Sequence, residues 1–284
     1  MALKNLFKIL SIAFLMLCFA HVDAQENKVL DGVFIKQTAP TKRVVPYTHV
    51  READVMYYKR LTRRIDLKQK LNFPLYYPDK AIKEIGYVRM PLIDIIQQGV
   101  TEGTLTAYQN DDFQQPLTKS EAEGKLAQEI TIDREDPVTG EFITETKNEP
   151  ITADRIIGYE LKEDWFFDRE RSVMEVRIIG LQPIYMSMSD DGTDRGPAGS
   201  YWIYFPEARF VFANHEVYNP GNDGARLTFE DYFRKRIFSS YVTSETNVYS
   251  NRLLMDYTTG IDMLLESRRI EEEIINTEHD MWQY

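Results

Sequence analysis

Past residue 24 the chain contains no cysteine; its single one is Cys18. A fold that cannot use disulfides, cysteine-held metals or cysteine nucleophiles must draw its stability from a hydrophobic core. The 284 residues are 43% hydrophobic and 28% charged, an ordinary globular balance. A chain of this size buries about 70–75% of its unfolded surface, so one large domain or two small ones need no staple.

The first residues read as an export leader. Lys4 and Lys8 give a positive start, Ile9 to Ala20 an apolar run, and Val22-Asp-Ala24 a cleavage site that leaves Gln25 as the new terminus. The run is shorter than the about 20 residues of a spanning helix. Leu17 stands before Cys18 where a lipoprotein signal wants a small residue, so Cys18 is expected to leave with the leader. The expected location is the periplasm or the cell exterior. Loss of Lys4, Lys8 and Asp23 takes the formal net charge from −11 to −12. That acidity disfavours nonspecific nucleic-acid binding, which depends on neutralising phosphates.

The expected organisation is a signal peptide over 1–24, an extended arm over 25–48, an α+β domain over 49–257 and a C-terminal helix over 258–284. The arm, with Pro40 and Pro46, has no helical period; it reads either as a loose terminus or as an arm laid on a neighbouring subunit. Arg51 to Leu71 reads as a helix. Val55, Tyr58, Leu61 and Ile65 share one face, Glu52 and Asp54 start it, Lys68 and Lys70 close it, and Asn72-Phe-Pro74 stops it. Its basic residues read as a solvated face. Further helices are expected at Pro91–Gly99, after the Thr118-Lys-Ser-Glu121 capping box, after Thr228, and from about Ile261 behind a cap at Thr258 or Thr259. Strands are expected at 104–108, 129–133, 141–145, 172–180, 201–205 and 209–213, the last two flanking a turn at Pro206. The fold class is α+β, with central, mostly antiparallel strands and helices toward both ends.

The search for chemistry returns little. His49, His215 and His279 lie far apart, and no local metal-ligand spacing, Gly-x-Ser-x-Gly elbow or phosphate-cradling loop is present. Glu163, Asp164 and Asp168 around Trp165 offer a glycosidase-like carboxylate set, or simply the polar edge of an aromatic core. Asp190-Asp-Gly-Thr-Asp194 lacks the spacing of a calcium loop and reads as a polar turn. No catalytic residue, metal or cofactor is expected. The acids Glu271, Glu272, Glu273, Glu278 and Asp280 gather at the end of the last helix, against its dipole. They read as a fraying tail or as a surface that docks onto a basic partner, for which the 51–70 segment is a candidate, within one chain or between copies.

Several stretches together resemble the GldN/PorN family: Arg51-Glu-Ala-Asp-Val-Met, Arg64-Ile-Asp-Leu, Asn72-Phe-Pro-Leu-Tyr-Tyr-Pro78, Ile156-Ile-Gly158, Trp165-Phe-Phe-Asp168, Arg177-Ile-Ile-Gly-Leu-Gln-Pro-Ile184, Trp202-Ile-Tyr-Phe-Pro206 and Arg226-Leu-Thr-Phe-Glu-Asp-Tyr-Phe233. The resemblance implies a periplasmic component of the type IX secretion and gliding-motility machinery of Bacteroidota. It implies association with a GldK/PorK-like lipoprotein in a ring under the outer membrane, self-association in that ring, and coupling to GldL/PorL-like and GldM/PorM-like motor proteins. It brings no catalytic residue. Under it, Lys59, Arg60, Arg63 and Arg64 with Tyr57, Tyr76 and Tyr77 become an expected assembly surface, beside Glu271, Glu272 and Glu273. Reversing Arg60 and Arg63 to Glu is expected to weaken the complex and spare the monomer. The other readings are a carbohydrate- or peptidoglycan-binding protein using Trp165, Trp202 and Trp282, and a hydrolase acting through Asp164 or Asp168.

Overall fold

The computed structural model describes residues 43–282, apart from 85–86, 136–141, 189–192 and 223. The architecture is α+β. Thirteen strands are described in chain order: β1 Val55–Asp66, β2 Ile82–Glu84, β3 Tyr87–Arg89, β4 Ala107–Tyr108, β5 Ala127–Glu135, β6 Phe142–Pro150, β7 Ile156–Asp168, β8 Val173–Met188, β9 Asp194–Gly199, β10 Trp202–Tyr204, β11 Glu216–Val217, β12 Leu227–Thr228 and β13 Tyr241–Glu245. Seven of them form one sheet in the order β13-β1-β7-β8-β10-β4, with β9 also on β8. Every pairing in it is antiparallel. The pairs β2–β3, β5–β6 and β11–β12 stand outside it.

The centre of the sheet is the long hairpin β7–β8. Asp168 makes its turn by accepting from the backbone N–H of Glu170 (2.9 Å) and Arg171 (3.4 Å). β1 lies along the other edge of β7 over its whole length, Val55 opposite Asp168 and Asp66 opposite Gly158. Gly158 is obligatory in this register: a Cβ there would stand 2.4 Å from the Ile65 carbonyl oxygen.

The segment read as a helix at 51–71 is therefore β1, preceded by a short 3-10 turn at Glu52–Asp54. Its burial alternates: Leu61, Arg63 and Ile65 are buried while Tyr58 is 51% exposed. The helical spacing of Val55, Tyr58, Leu61 and Ile65 was a coincidence of apolar side chains drawn from both faces of a strand. The period of two was hidden because two inward positions carry Lys59 and Arg63, and their partners lie far away in sequence. The second correction is at 209–213. Phe205–Phe212 is a helix with Pro206 in its first turn, a position where proline's missing N–H costs nothing. The strand before it, β10, stops at Tyr204.

The strands β2, β3, β7, β9 and β11–β13 were not among those expected, and Phe73–Tyr76 is a short helix where a stop was read; the expected helices and the other expected strands lie close to where the sequence put them. Leu92–Glu102 is a helix that buries Leu92, Ile93, Ile95, Ile96 and Val100 and ends at Gly103, whose φ of 79° favours glycine. Thr118 caps the helix Lys119–Lys125 with a complete capping box. Thr228 accepts from the Asp231 N–H at the start of Phe229–Arg234. The C-terminal helix is Ile261–Trp282. Neither threonine near it serves as drawn from the sequence: Thr258 Oγ1 donates back to the Leu254 carbonyl at 2.6 Å, and Gly260, with φ 58°, precedes the helix. The strand expected at 104–108 is confined to Ala107–Tyr108. The segment 136–141 between the strands expected at 129–133 and 141–145, and most of the acidic loop at 190–194, fall outside the described residues.

Two cores result. The larger packs the helices Leu92–Glu102, Phe205–Phe212 and Phe229–Arg234 on one sheet face, around Phe205, Phe212, Phe229, Tyr232, Phe233 and Phe238. Their rings meet at centroid distances of 5.4–6.5 Å, mostly edge-on or tilted. The smaller core lies between the β1–β13 end of the sheet and the C-terminal helix: Leu61, Val242, Leu254, Ile270 and Ile274, with Trp165, Met174 and Met263 against them.

Candidate functional site

The charged groups singled out in the sequence meet mainly at that smaller core. In β1, Lys59, Leu61, Arg63 and Ile65 point to one face and Tyr58, Arg60, Thr62 and Arg64 to the other. Lys59, Leu61 and Arg63 turn toward the C-terminal helix, and Ile65 into the larger core. Lys59 Nζ lies 2.8 Å from Glu245 on β13 and 3.7 Å from Glu273 on the helix. Arg63 donates to the Ser240 hydroxyl (2.9 Å) and carbonyl (3.2 Å) and to Glu271 on the helix. Its Nε is 4.0 Å from Glu163, whose carboxylate is fully buried and receives Arg236 at 2.8 and 3.2 Å and the Trp165 indole N–H at 3.1 Å. The Ser267 hydroxyl, on the helix, accepts the Val242 N–H at 2.7 Å and so covers a backbone donor of the outer strand β13. Hydrocarbon and ion pairs together seal the helix to the sheet.

The other basic side chains lie elsewhere. Arg60 makes a two-pronged pair with Asp164, directly opposite in register, at 2.6 and 2.9 Å. Arg64 stands opposite Glu160 on that same face. Burial pushes the Glu160 carboxyl above its usual range, while Arg64 and a hydrogen bond from the Thr243 hydroxyl pull it back. Tyr57 is half-buried, and that burial raises its hydroxyl pKa. Tyr76 packs against the larger core and Tyr77 meets Tyr218 edge-on at 5.1 Å, so these two tyrosines belong to a separate region. Glu272 points outward and pairs with Arg268 at 3.1 Å. The structure thus brings together Lys59, Arg63, Glu271 and Glu273, and separates them from Arg60, Arg64, Tyr76, Tyr77 and Glu272. Arg63 is 8% exposed, so reversing its charge would strike the interior of the fold; the expectation that the monomer is spared does not hold for this residue.

Sequence reasoning did not find Glu163, Arg236, Ser240, Glu245 or Ser267 as parts of the seam. Glu163 alone left a trace, as the one charge among the alternating β7 positions Tyr159, Leu161, Trp165 and Phe167. The arm has a seat as well, over its described residues. Arg209, 4% exposed, pairs with Glu230 at 2.8 Å, donates to the Val45 carbonyl at 2.7 Å and stacks 4.1 Å from the Tyr47 ring. Arg177 adds a 2.8 Å bond to the Thr48 carbonyl.

The carboxylates weighed for glycosidase chemistry do not converge. Glu163 and Asp164 point to opposite sheet faces and Asp168 is consumed by the hairpin turn. Among the described residues no group of three His, Asp or Glu is placed to hold a metal ion, and no helix is long and apolar enough to cross a membrane. A groove of about 500 Å³ runs between the helices Leu92–Glu102 and Lys119–Lys125. Glu123 is its only carboxylate among the described lining residues, beside Val100, Leu126 and Tyr201.

Fold and site together define an antiparallel α+β protein whose most developed polar feature is a sealed sheet–helix junction. The chain belongs to the GldN family: the model of the gliding motility associated protein GldN matches residues 50–283. No curated protein matches the sequence at a significant level.

Proposed function

We propose that this chain is a non-catalytic structural subunit of a periplasmic ring in a type IX secretion and gliding-motility machine, assembling with a GldK/PorK-like lipoprotein under the outer membrane. The family match over residues 50–283 is the observation that carries the reading. The leader supports it: a basic start, a short apolar run and Val22-Asp-Ala24 direct the chain to the periplasm. With Cys18 removed by cleavage after Ala24, such a subunit is held at the outer membrane by its protein partners, the lipoprotein and further GldL/PorL-like and GldM/PorM-like motor proteins. Arg60, with 42% of its side chain exposed, and Tyr77, 42% exposed, remain suited to partner contact after Lys59 and Arg63 are assigned to the seam.

The glycan-binding reading loses two of its three aromatic platforms. Trp202 is 8% exposed, and Trp165 is held by Glu163 and covered by Arg236 at 5.4 Å. The test is a pull-down of the tagged chain from envelope extract of its own host, with partners identified by mass spectrometry. Co-recovery of the GldK/PorK-like lipoprotein is expected. A chain recovered from the envelope as a free species, or one that binds glycan strands alone, overturns the assembly reading.

A further inference from the structure

The C-terminal helix has two apolar faces. Ile270 and Ile274 are buried against the sheet. Roughly opposite, Ile261, Leu264, Leu265, Ile275 and Trp282 are 49–75% exposed. At about 100° per residue these five, with Arg268, Glu272 and His279, fall within about 60° on either side of one line along a helix about 33 Å long. Scattered apolar side chains on a surface need no explanation, but apolar groups toward both ends of one line opposite the core-facing side do. At its middle, the Arg268–Glu272 pair is 3.1 Å apart with side chains 76% and 59% exposed.

We propose that this stripe is the interface of a two-fold homodimer in which the C-terminal helices of two copies pack antiparallel. The order apolar, Arg268, Glu272, apolar is self-complementary on reversal about residue 270. Reversal sets Leu265 against the partner's Ile275, and Arg268 against the partner's Glu272. A parallel pair sets Arg268 against its own copy and Glu272 against its own copy, which is repulsive. A purely apolar partner would bury the Arg268–Glu272 pair with nothing added to offset its desolvation. A second copy supplies the matching pair. The contact is isologous and closes on itself, so other surfaces stay available for building a larger assembly. It goes beyond the ring reading by naming a surface and a symmetry, and it stands or falls separately from the lipoprotein contact.

Sedimentation equilibrium of the chain from Gln25 onward tests this. The wild-type chain is expected to dimerise. Arg268→Glu and Glu272→Arg, each alone, are expected to weaken self-association by about tenfold or more, because each places like charges across the axis twice. An equal mixture of the two variants is expected to restore dimers, since both cross-helix contacts are then opposite in sign. A monomeric wild-type chain, single variants that dimerise undiminished, or a mixture no tighter than its components overturns the proposal. The cysteine-free background gives a second measurement that does not depend on the charge variants folding. Leu265→Cys and Ile275→Cys copies are expected to cross-link with a short bismaleimide when mixed. Neither is expected to do so alone, because equivalent positions are offset by ten residues, about 15 Å along the axis. Equal cross-linking of each variant alone overturns the antiparallel register.

Discussion

Glu163 stays buried because Arg236 grips both of its oxygens, Trp165 donates to it and Arg63 stands 4.0 Å away. A buried ion pair adds little over a well-packed apolar pair, but losing one partner strands the others without water. Glu163→Gln keeps the size and removes the charge. It is expected to cost about 3 kcal/mol in urea unfolding, and a loss below about 1 kcal/mol would show that the cluster is not structural. Arg60 and Arg63 are three residues apart and read alike in sequence, yet their environments differ. Arg63→Glu puts a carboxylate beside Glu163 and Glu271 and is expected to cost several kcal/mol, about 3 or more. Arg60→Glu, on the half-open face, is expected to cost about 1 kcal/mol or less. Equal midpoint shifts for the two variants would contradict the face assignment.

The element that decides the smaller core is the C-terminal helix. Without it, β13 presents an open backbone edge and Leu61, Val242 and Leu254 lose their cover. Ser267 joins the two tasks, since its hydroxyl meets the Val242 N–H at 2.7 Å from the face that also buries Ile270 and Ile274. Ser267→Ala is expected to cost about 1 kcal/mol and to speed hydrogen exchange at the Val242 amide; unchanged protection there would show that the bond does not hold the edge. The acid load at the helix end, which helix stability alone does not ask for, is answered in part by Lys59 and Arg63. The sequence showed both charge groups and allowed their pairing within one chain. It did not show that β1 is a strand, because the identity of its inward cations makes sense only once Glu163, Glu245, Glu271 and Glu273 are in place.

For the molecule as a whole, acid response is tied to a polar sheet face. Burial holds the Glu160 carboxyl above its ordinary 4.5, so the folded chain binds this proton more tightly than the unfolded chain. The resulting stabilisation is complete below the unfolded value and is lost as pH rises through the folded one. Urea midpoints of the wild-type chain are therefore expected to fall relative to Glu160→Gln as pH rises from about 4.5 toward neutral. Parallel pH profiles for the two proteins would refute this. The same face carries Arg60–Asp164 and Lys162–Asp111, the latter at 2.9 Å, beside the buried Phe166.

The sequence by itself determined the α+β class, the capped helices at Leu92, Lys119 and Phe229, the long C-terminal helix and the family, since capping residues, periodic apolar stripes and runs of family-like words are local signals. Tertiary structure decided that 55–66 is a strand, that Phe205–Phe212 is a helix, and which charges meet. A strand's partners, and the counter-ions that let Lys59 and Arg63 face inward, come from segments a hundred residues or more away, and local pattern carries no record of them.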